Sequence, residues 1–403
     1  MRLATLALLF FAQGIPWGFF AITMPAYAAE RGLSELGVGA LFAMSYWPYV
    51  FKWIGGPIVD SFTIPRFGKR RPWIVFAQLM MAATAGGLLA IHDPVAQVSL
   101  LSSLILAHTI FNALQNVAVD ALAIDLLPPA ERGKANGLMY GAKYAGGIVG
   151  GAGMGAVIHW WGFHTAIVVQ VVILLAIAVV PLLVKERSGE APKHASAREV
   201  AQTLRQVFRL QTPLLCAALM VLATIASGVL QTIAPVLFMQ GLHWDQAKYT
   251  AFTGGPGLAI GAFGAFIAGF LADKLGHRRL VAFATIAMGA GWLVFGLGQA
   301  YWNDTTFVFT LWCIEPFTQA TMIVALYTVC MDSSVKRTAA TQFAAYTSLQ
   351  NLGTIIGARY IAAPLSSALD YRTIYILCAV FQIALILVLP LIDPTQVRRA
   401  LPE

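Results

Sequence analysis

Stretches of twenty or more mostly apolar residues recur along this chain and constrain its fold more than any other feature. A helix needs about 20 such residues to cross a hydrocarbon core about 30 Å thick. Twelve stretches reach that length, at roughly 3–29, 35–59, 73–91, 97–127, 135–160, 165–184, 213–240, 248–272, 280–299, 305–331, 338–366 and 373–392. In lipid each backbone N–H and C=O has to be satisfied within its own segment, so such stretches are helices. The expected fold is therefore all-α and integral to the membrane. The first stretch starts directly after Arg2. It is too long for a signal-peptide core and ends in no small-residue cleavage pattern, so it reads as a retained span.

Composition excludes the soluble alternatives. Hydrophobic residues make up 59 % and charged residues 11 % of the 403 positions, against roughly 25 % charged in an average soluble domain. So few charges cannot cover a surface of this size in water, which rules out a soluble enzyme or a disordered chain. The net charge of +8 would suit nucleic acid, but the basic residues are distributed by topology. With both termini cytoplasmic, only Arg31, Lys248 and Arg372 fall outside, and Lys52, Lys143 and Arg359 lie within spans. The rest of the 26 Lys and Arg fall on the cytoplasmic side, which is the positive-inside pattern. Cys216, Cys313, Cys330 and Cys378 sit in apolar runs without metal-ligand or disulfide spacing and read as packing residues. No P-loop, zinc or haem spacing, or nucleophile elbow occurs, so neither enzymatic chemistry nor a bound cofactor or metal is expected.

The longest polar stretch, 185–212, separates six spans from six and divides the chain into 1–184 and 213–403. Within it, Val200, Leu204, Val207 and Phe208 fall at helical spacing. That fits either an amphipathic helix on the cytoplasmic membrane face or a solvated linker. After the second span the chain reads Gly56-Pro57-Ile58-Val59-Asp60, then Gly68-Lys69-Arg70-Arg71. After the eighth it reads Gly269-Phe270-Leu271-Ala272-Asp273, then Gly276-His277-Arg278-Arg279. This doubled G-x-x-x-D, Gly and basic-cluster pattern, with twelve spans and a central loop, resembles the major facilitator superfamily. The resemblance implies two pseudo-symmetric six-helix bundles and secondary active transport by alternating access, with the solute near the midplane. It also implies gating roles for Gly56, Asp60, Arg70, Gly269, Asp273 and Arg278. The glycines would allow close helix approach, and the acids would pair with a base or a helix N-terminus when the cytoplasmic side closes.

Three segments carry a narrower resemblance: Tyr49 to Asp60, Gln115 to Gly133 and Ala340 to Gly353. They resemble the AmpG-like branch, the peptide–acetyl-CoA transporter family, which includes muropeptide permeases, acetyl-CoA transporters and siderophore importers. Asn116 departs from it, because the family usually has an acid there. The length, and the opening Phe11-Ala12-Gln13-Gly14-Ile15-Pro16-Trp17-Gly18-Phe19-Phe20, look more like the siderophore-importer branch.

Polar groups at mid-membrane are costly and are candidates for function. In the superfamily the first, fourth, seventh and tenth spans line the cavity. Span 4 bears His108, Asn112, Gln115, Asn116 and Asp120 along one helical stripe, and span 10 bears Glu315 and Gln319. Aligning Asp125 with Asp332 gives an offset of 207 residues that sets His108 against Glu315 and Asn112 against Gln319. Glu315, the one carboxylate near the middle of a span, is expected to couple transport to a proton, with Asp120 and His108 as further titratable candidates. A structural, paired Glu315 is the alternative. Asn112, Gln115, Asn116, Gln319, Arg359 and Lys143 are the solute-binding candidates, Arg359 because guanidinium forks onto anions. Asp120 and Lys143 are expected to form a buried ion pair, either structural or switching, with Lys52 nearby. In span 5, Gly147, Gly151 and Gly155 repeat every four residues, a spacing suited to close helix contact. The expected activity is proton-gradient-driven import of a siderophore or ferri-siderophore across a bacterial inner membrane by a monomer. Its partners would be the small solute and lipid, not nucleic acid. An anhydromuropeptide permease, a drug or metabolite exporter and a non-transporting receptor are the alternatives.

Overall fold

The computed structural model describes residues 2–55, 58–59, 68–126, 129–183, 205–333, 339–393 and 396–400. Helix α1 runs Arg2–Glu30, α2 Glu35–Val50, α3 Arg71–Ala90 and α4 Val98–Leu126. Helix α5 joins Pro129–Ile148, a π-helical turn Val149–Gly153 and Met154–Trp161. Helix α6 is Phe163–Leu182 and α7 is Gln211–Gly241. Helix α8 joins Gln246–Phe252, a π turn Thr253–Gly257 and Leu258–Leu275. Helix α9 is His277–Leu297 and α10 is Thr305–Asp332. Helix α11 joins Ala339–Ile355, a π segment Ile356–Ile361 and Ala362–Ala368, and α12 is Tyr371–Leu391.

Among the described residues nine helices are long and apolar enough to cross a membrane: α1, α3, α4, α6, α7, α8, α9, α10 and α12. The sequence leads one to expect twelve. Helices α2, α5 and α11 lie at the expected places but fall short of that standard. The regular helix of α2 covers 16 residues. From Gly137 onward helix α5 is rich in glycine, which lowers its mean hydropathy. Helix α11 is built largely of Ala, Thr, Gln and Gly. The proposed amphipathic segment falls mostly on residues 184–204, outside the described residues.

The chain forms two compact units, Met1–Glu190 with Ala234–Ala259, and Ala191–Ile233 with Ile260–Glu403. In the first, Leu6, Ile74, Met81, Leu122 and Leu174 form a core between α1, α3, α4 and α6. Helix α1 meets α5 backbone to backbone: a Cβ on Gly146 would strike the carbonyl oxygen of Phe11, and one on Gly150 that of Ile15. In the second unit α7 meets α11 in the same way. There Gly353 faces the Val221 carbonyl and Gly357 that of Ile225. Gly146 and Gly353 correspond at the offset relating Asp125 to Asp332, and so do Gly150 and Gly357. The repeat seen in the loop motifs thus extends into helix packing, through glycines that let Cα–H groups approach carbonyls.

Two further features belong to the first unit. The Thr23 hydroxyl, in a π-helical turn of α1 (Phe19–Thr23), bonds the carbonyls of Gly150 at 2.9 Å and Gly151 at 2.8 Å. The π turn of α5 takes such carbonyls out of the regular i→i−4 ladder, and the hydroxyl satisfies them. The stretch Ala234–Ala259 is held by Gln240, which donates to the carbonyls of Ala29 (2.9 Å) and Leu33 (3.1 Å). Glu30 accepts the Gln246 backbone N–H at 2.9 Å, and Gly254 sits against Gly151 with room for no side chain.

Candidate functional site

The polar stripe of α4 divides between two neighbours. His108 and Gln115 are seven residues apart, two turns on one face, and both meet α3. His108 Nδ1 lies 3.1 Å from the Met81 carbonyl and 3.2 Å from Thr84 Oγ1, with its ring edge-on to Phe20 at 5.0 Å. Gln115 donates to the side-chain oxygen of Gln78, which itself donates to the Leu174 carbonyl at 3.1 Å. Asn116 turns towards α1 and donates to Gln13 at 3.1 Å. Asn112 is buried, and its side-chain oxygen makes no hydrogen bond. Gln13 and Gln78 are buried partners that sequence reasoning did not single out; their signal is a solitary amide inside an apolar span.

Asp120 lies one turn beyond Asn116 and is exposed, although its helix is of membrane-spanning length. The charges of Lys52 and Lys143 both act on it. The expected contact ion pair with Lys143 does not form: among the described residues no basic group lies within ion-pair distance of Asp120. The arrangement is instead a Lys–Asp–Lys cluster drawn from the end of α2, from α4 and from α5. Tyr49 and Tyr140 stand in the same field, Tyr140 with 57 % of its surface exposed, and Lys143 Nζ lies 6.0 Å from the Tyr49 ring centre. The physical reason is rotation. Asp120 sits on a face of α4 that its own unit leaves open, while the amides above it are spent on neighbouring helices.

Glu315 and Gln319 lie one turn apart on α10, both half-buried. Glu315 opens into a cleft whose other walls are Gly291, Trp292 and Phe295 of α9, Trp312 of α10 and Tyr375 of α12. The Trp292 indole N–H is within reach of its carboxyl but completes no hydrogen bond. Arg359, in the π segment of α11, is half-buried, and among the described residues no carboxylate pairs with it.

Of the gating candidates, Gly56 and Asp60 lie outside the described residues, as does the Asp273 side chain. Arg70 pairs with Asp125 at 3.1 Å. Arg278 donates to the Ile392 carbonyl just past α12. At Gly269 the expected close helix contact is absent among the described residues: a Cβ there would meet nothing within 4 Å. Among the described residues no group of three His, Cys, Asp or Glu could hold a metal ion.

An all-α chain with apolar helices of spanning length, charged groups set within them and a doubled loop motif is a multi-pass membrane transporter. The chain belongs to the Major Facilitator Superfamily, whose profile matches residues 6–358 and 258–403. Members carry small molecules across lipid by secondary active transport, typically on a proton gradient, and are not enzymes. The chain is 25 % identical over 362 residues to the anhydromuropeptide permease of Escherichia coli (strain K12), covering 88 % of this chain and 72 % of that protein. It is 22 % identical over 376 residues to a putative transporter, AmpG 3, of Rickettsia prowazekii (strain Madrid E), covering 88 % and 87 %. Among solved structures, the nucleoside transporter NupG superposes with a TM-score of 0.77 at 11 % identity, covering 97 % of this chain and all of that one. A POT family transporter in complex with a thioalcohol-conjugated peptide gives 0.74 at 13 %, covering 98 % and 96 %. These two likenesses are of fold alone.

Proposed function

We propose that the chain is a proton-coupled importer of an anhydromuropeptide-like solute, a sugar joined to a short acidic peptide. It would work by alternating access between halves 1–184 and 213–403, joined by the 185–212 loop. In this reading it is a monomer of twelve spans in a bacterial inner membrane, with both termini cytoplasmic, lipid around it and no nucleic-acid partner. The matching glycine-to-carbonyl packing of α1–α5 and α7–α11 supports the two halves. The observation that carries the solute class is the Lys52–Asp120–Lys143 cluster among exposed tyrosine. Two cations against one carboxylate leave a net positive charge to receive solute carboxylates, and aromatic faces suit sugar rings. Likeness to the anhydromuropeptide permease along most of the chain supports the same class over the siderophore reading.

In this scheme Asp120 takes the coupling proton. Protonation releases both lysines to the solute's carboxylates, and deprotonation on the cytoplasmic side draws them back and frees the solute. Asn116 and Gln13 order the helix interface above it, and Arg359 and Gln319 offer further polar contacts. The test is uptake into proteoliposomes under an inward proton gradient, with anhydromuropeptide and a ferri-siderophore side by side. Anhydromuropeptide accumulates, and Asp120→Asn reduces accumulation at least about tenfold, a loss of about 1.4 kcal/mol or more of coupling. Siderophore uptake in its place would overturn the solute class. Loss of gradient-driven uptake in Glu315→Gln, with Asp120→Asn intact, would move the proton to Glu315.

A further inference from the structure

Glu315 occupies the eleventh position of α10, about 15 Å from the helix start at 1.5 Å per residue. That is mid-membrane depth. Among the described residues no Lys or Arg pairs with it. A carboxylate at that depth is expensive unless it is neutralised or countered by a cation. Every wall of its cleft comes from α9, α10 and α12 of its own unit, and the outer faces of those helices are apolar and exposed. Val294 and Leu297 of α9 and Ile314 of α10, which itself lines the cleft, form that rim.

Glycines shape the cleft. On the α12 side of α9, Gly289 and Gly296 admit the neighbour closely, with the Ala379 and Arg372 carbonyls each 3.1 Å from a Cβ built on them. Gly291 does the opposite: a Cβ there meets only the Ile314 Cγ2 at 3.8 Å, so the mouth stands open for want of a side chain. The back wall is fixed. Phe295 stacks on Trp302 at 5.1 Å and packs on Tyr375 at 4.6 Å, and the Trp302 indole bonds the Phe295 carbonyl at 2.8 Å. The Trp292 N–H, in a residue 97 % buried, completes no hydrogen bond, although the Glu315 carboxyl is within its reach.

We propose that this cleft is a lipid-side binding site for an ammonium group carried on an apolar body, with Glu315 as its counter-ion. The aromatic walls attract a cation through their ring faces, most strongly once it is desolvated. The apolar body lies along the exposed flank of α9 and α10 and takes the place of a lipid chain. In the bound state Trp292 donates to the Glu315 carboxylate and orients it towards the cation. The site is separate from the Asp120 cluster and does not rest on the identity of the solute.

The test uses the full chain in phosphatidylcholine vesicles and reads carbodiimide labelling of Glu315 by mass spectrometry. The protonated carboxyl transfers its proton to a nitrogen of dicyclohexylcarbodiimide while its oxygen bonds the central carbon. An oxygen-to-nitrogen acyl shift then gives a stable N-acylurea, and nothing leaves. We expect labelling of the wild type at Glu315, slowed by decyltrimethylammonium, which cannot attack the activated carboxyl, roughly tenfold at about ten times its dissociation constant. Choline, a polar quaternary ammonium arriving from water, leaves the rate unchanged. Gly291→Leu closes the mouth and lowers both labelling and protection. Absent labelling of the wild type, labelling indifferent to decyltrimethylammonium, or equal protection by choline would each overturn the proposal.

Discussion

Adding one methyl group at Gly150 tests the packing on which the first unit depends. A Cβ there lies 2.8 Å from the Ile15 carbonyl carbon and 3.0 Å from the Phe19 nitrogen, and closer still to the Ile15 oxygen, where 3.4–4 Å is ordinary contact. All these atoms are backbone, so no side chain can rotate away, and α1 and α5 have to separate by about 0.6 Å or more. Overpacking of this kind costs about 1–3 kcal/mol. The separation also stretches both Thr23 hydrogen bonds, now 2.9 and 2.8 Å, and interhelical bonds in membranes average about 0.6 kcal/mol each. Gly150→Ala should therefore destabilise the protein by roughly 2–4 kcal/mol. Gly141→Ala is the control, since its Cβ meets nothing within 4 Å and alanine favours the helix by up to about 1 kcal/mol. Thermal unfolding of both variants in one detergent, followed by tryptophan fluorescence, measures the difference. Equal midpoints for the two variants would refute the backbone-contact account of α1–α5.

Two other substitutions separate structural from functional roles. Arg70→Gln breaks the Arg70–Asp125 pair, whose side chains are 10 % and 30 % exposed. It should cost about 1–2 kcal/mol, between the values for exposed and buried pairs, read as a lower unfolding midpoint that Asp125→Asn does not lower further. Gln115→Leu removes the donor to Gln78 inside a buried contact and should destabilise by about 1–3 kcal/mol. It should leave the KM for solute unchanged, and a raised KM at unchanged stability would return Gln115 to the solute site.

Helix positions were legible in the sequence because length and apolarity alone decide what can cross lipid. The repeat was legible because its loops carry glycine and charge at fixed spacing. The glycine run of α5 shows both the reach and the limit of such reading. Spacing announced close contact, but only the fold separates two faces, with Gly146 and Gly150 against α1 and Gly151 and Gly155 against the Ala234–Ala259 stretch. The stripe of α4 was read as one face, whereas the structure spends Gln115 on Gln78 and Asn116 on Gln13. A stripe identifies neighbours along one helix but not the helices opposite. For the same reason the contact pair expected of Asp120 and Lys143 became a three-charge cluster. Burial was inferred from depth in the span, and depth does not say which way a side chain points.

Glycine on both faces of α5 has a consequence for how this protein can diversify. Six of the ten residues from Gly146 to Gly155 are glycine, and a side chain on Gly146, Gly147, Gly150, Gly151 or Gly155 would collide with a carbonyl or a neighbouring helix. If the Lys143 cluster receives the solute as proposed, variation that retunes solute preference is thereby channelled to Tyr140, Lys143 and Tyr144 on the same helix. A saturation library of α5 selected for a new solute would return its winners there, and the glycine segment would come back unchanged.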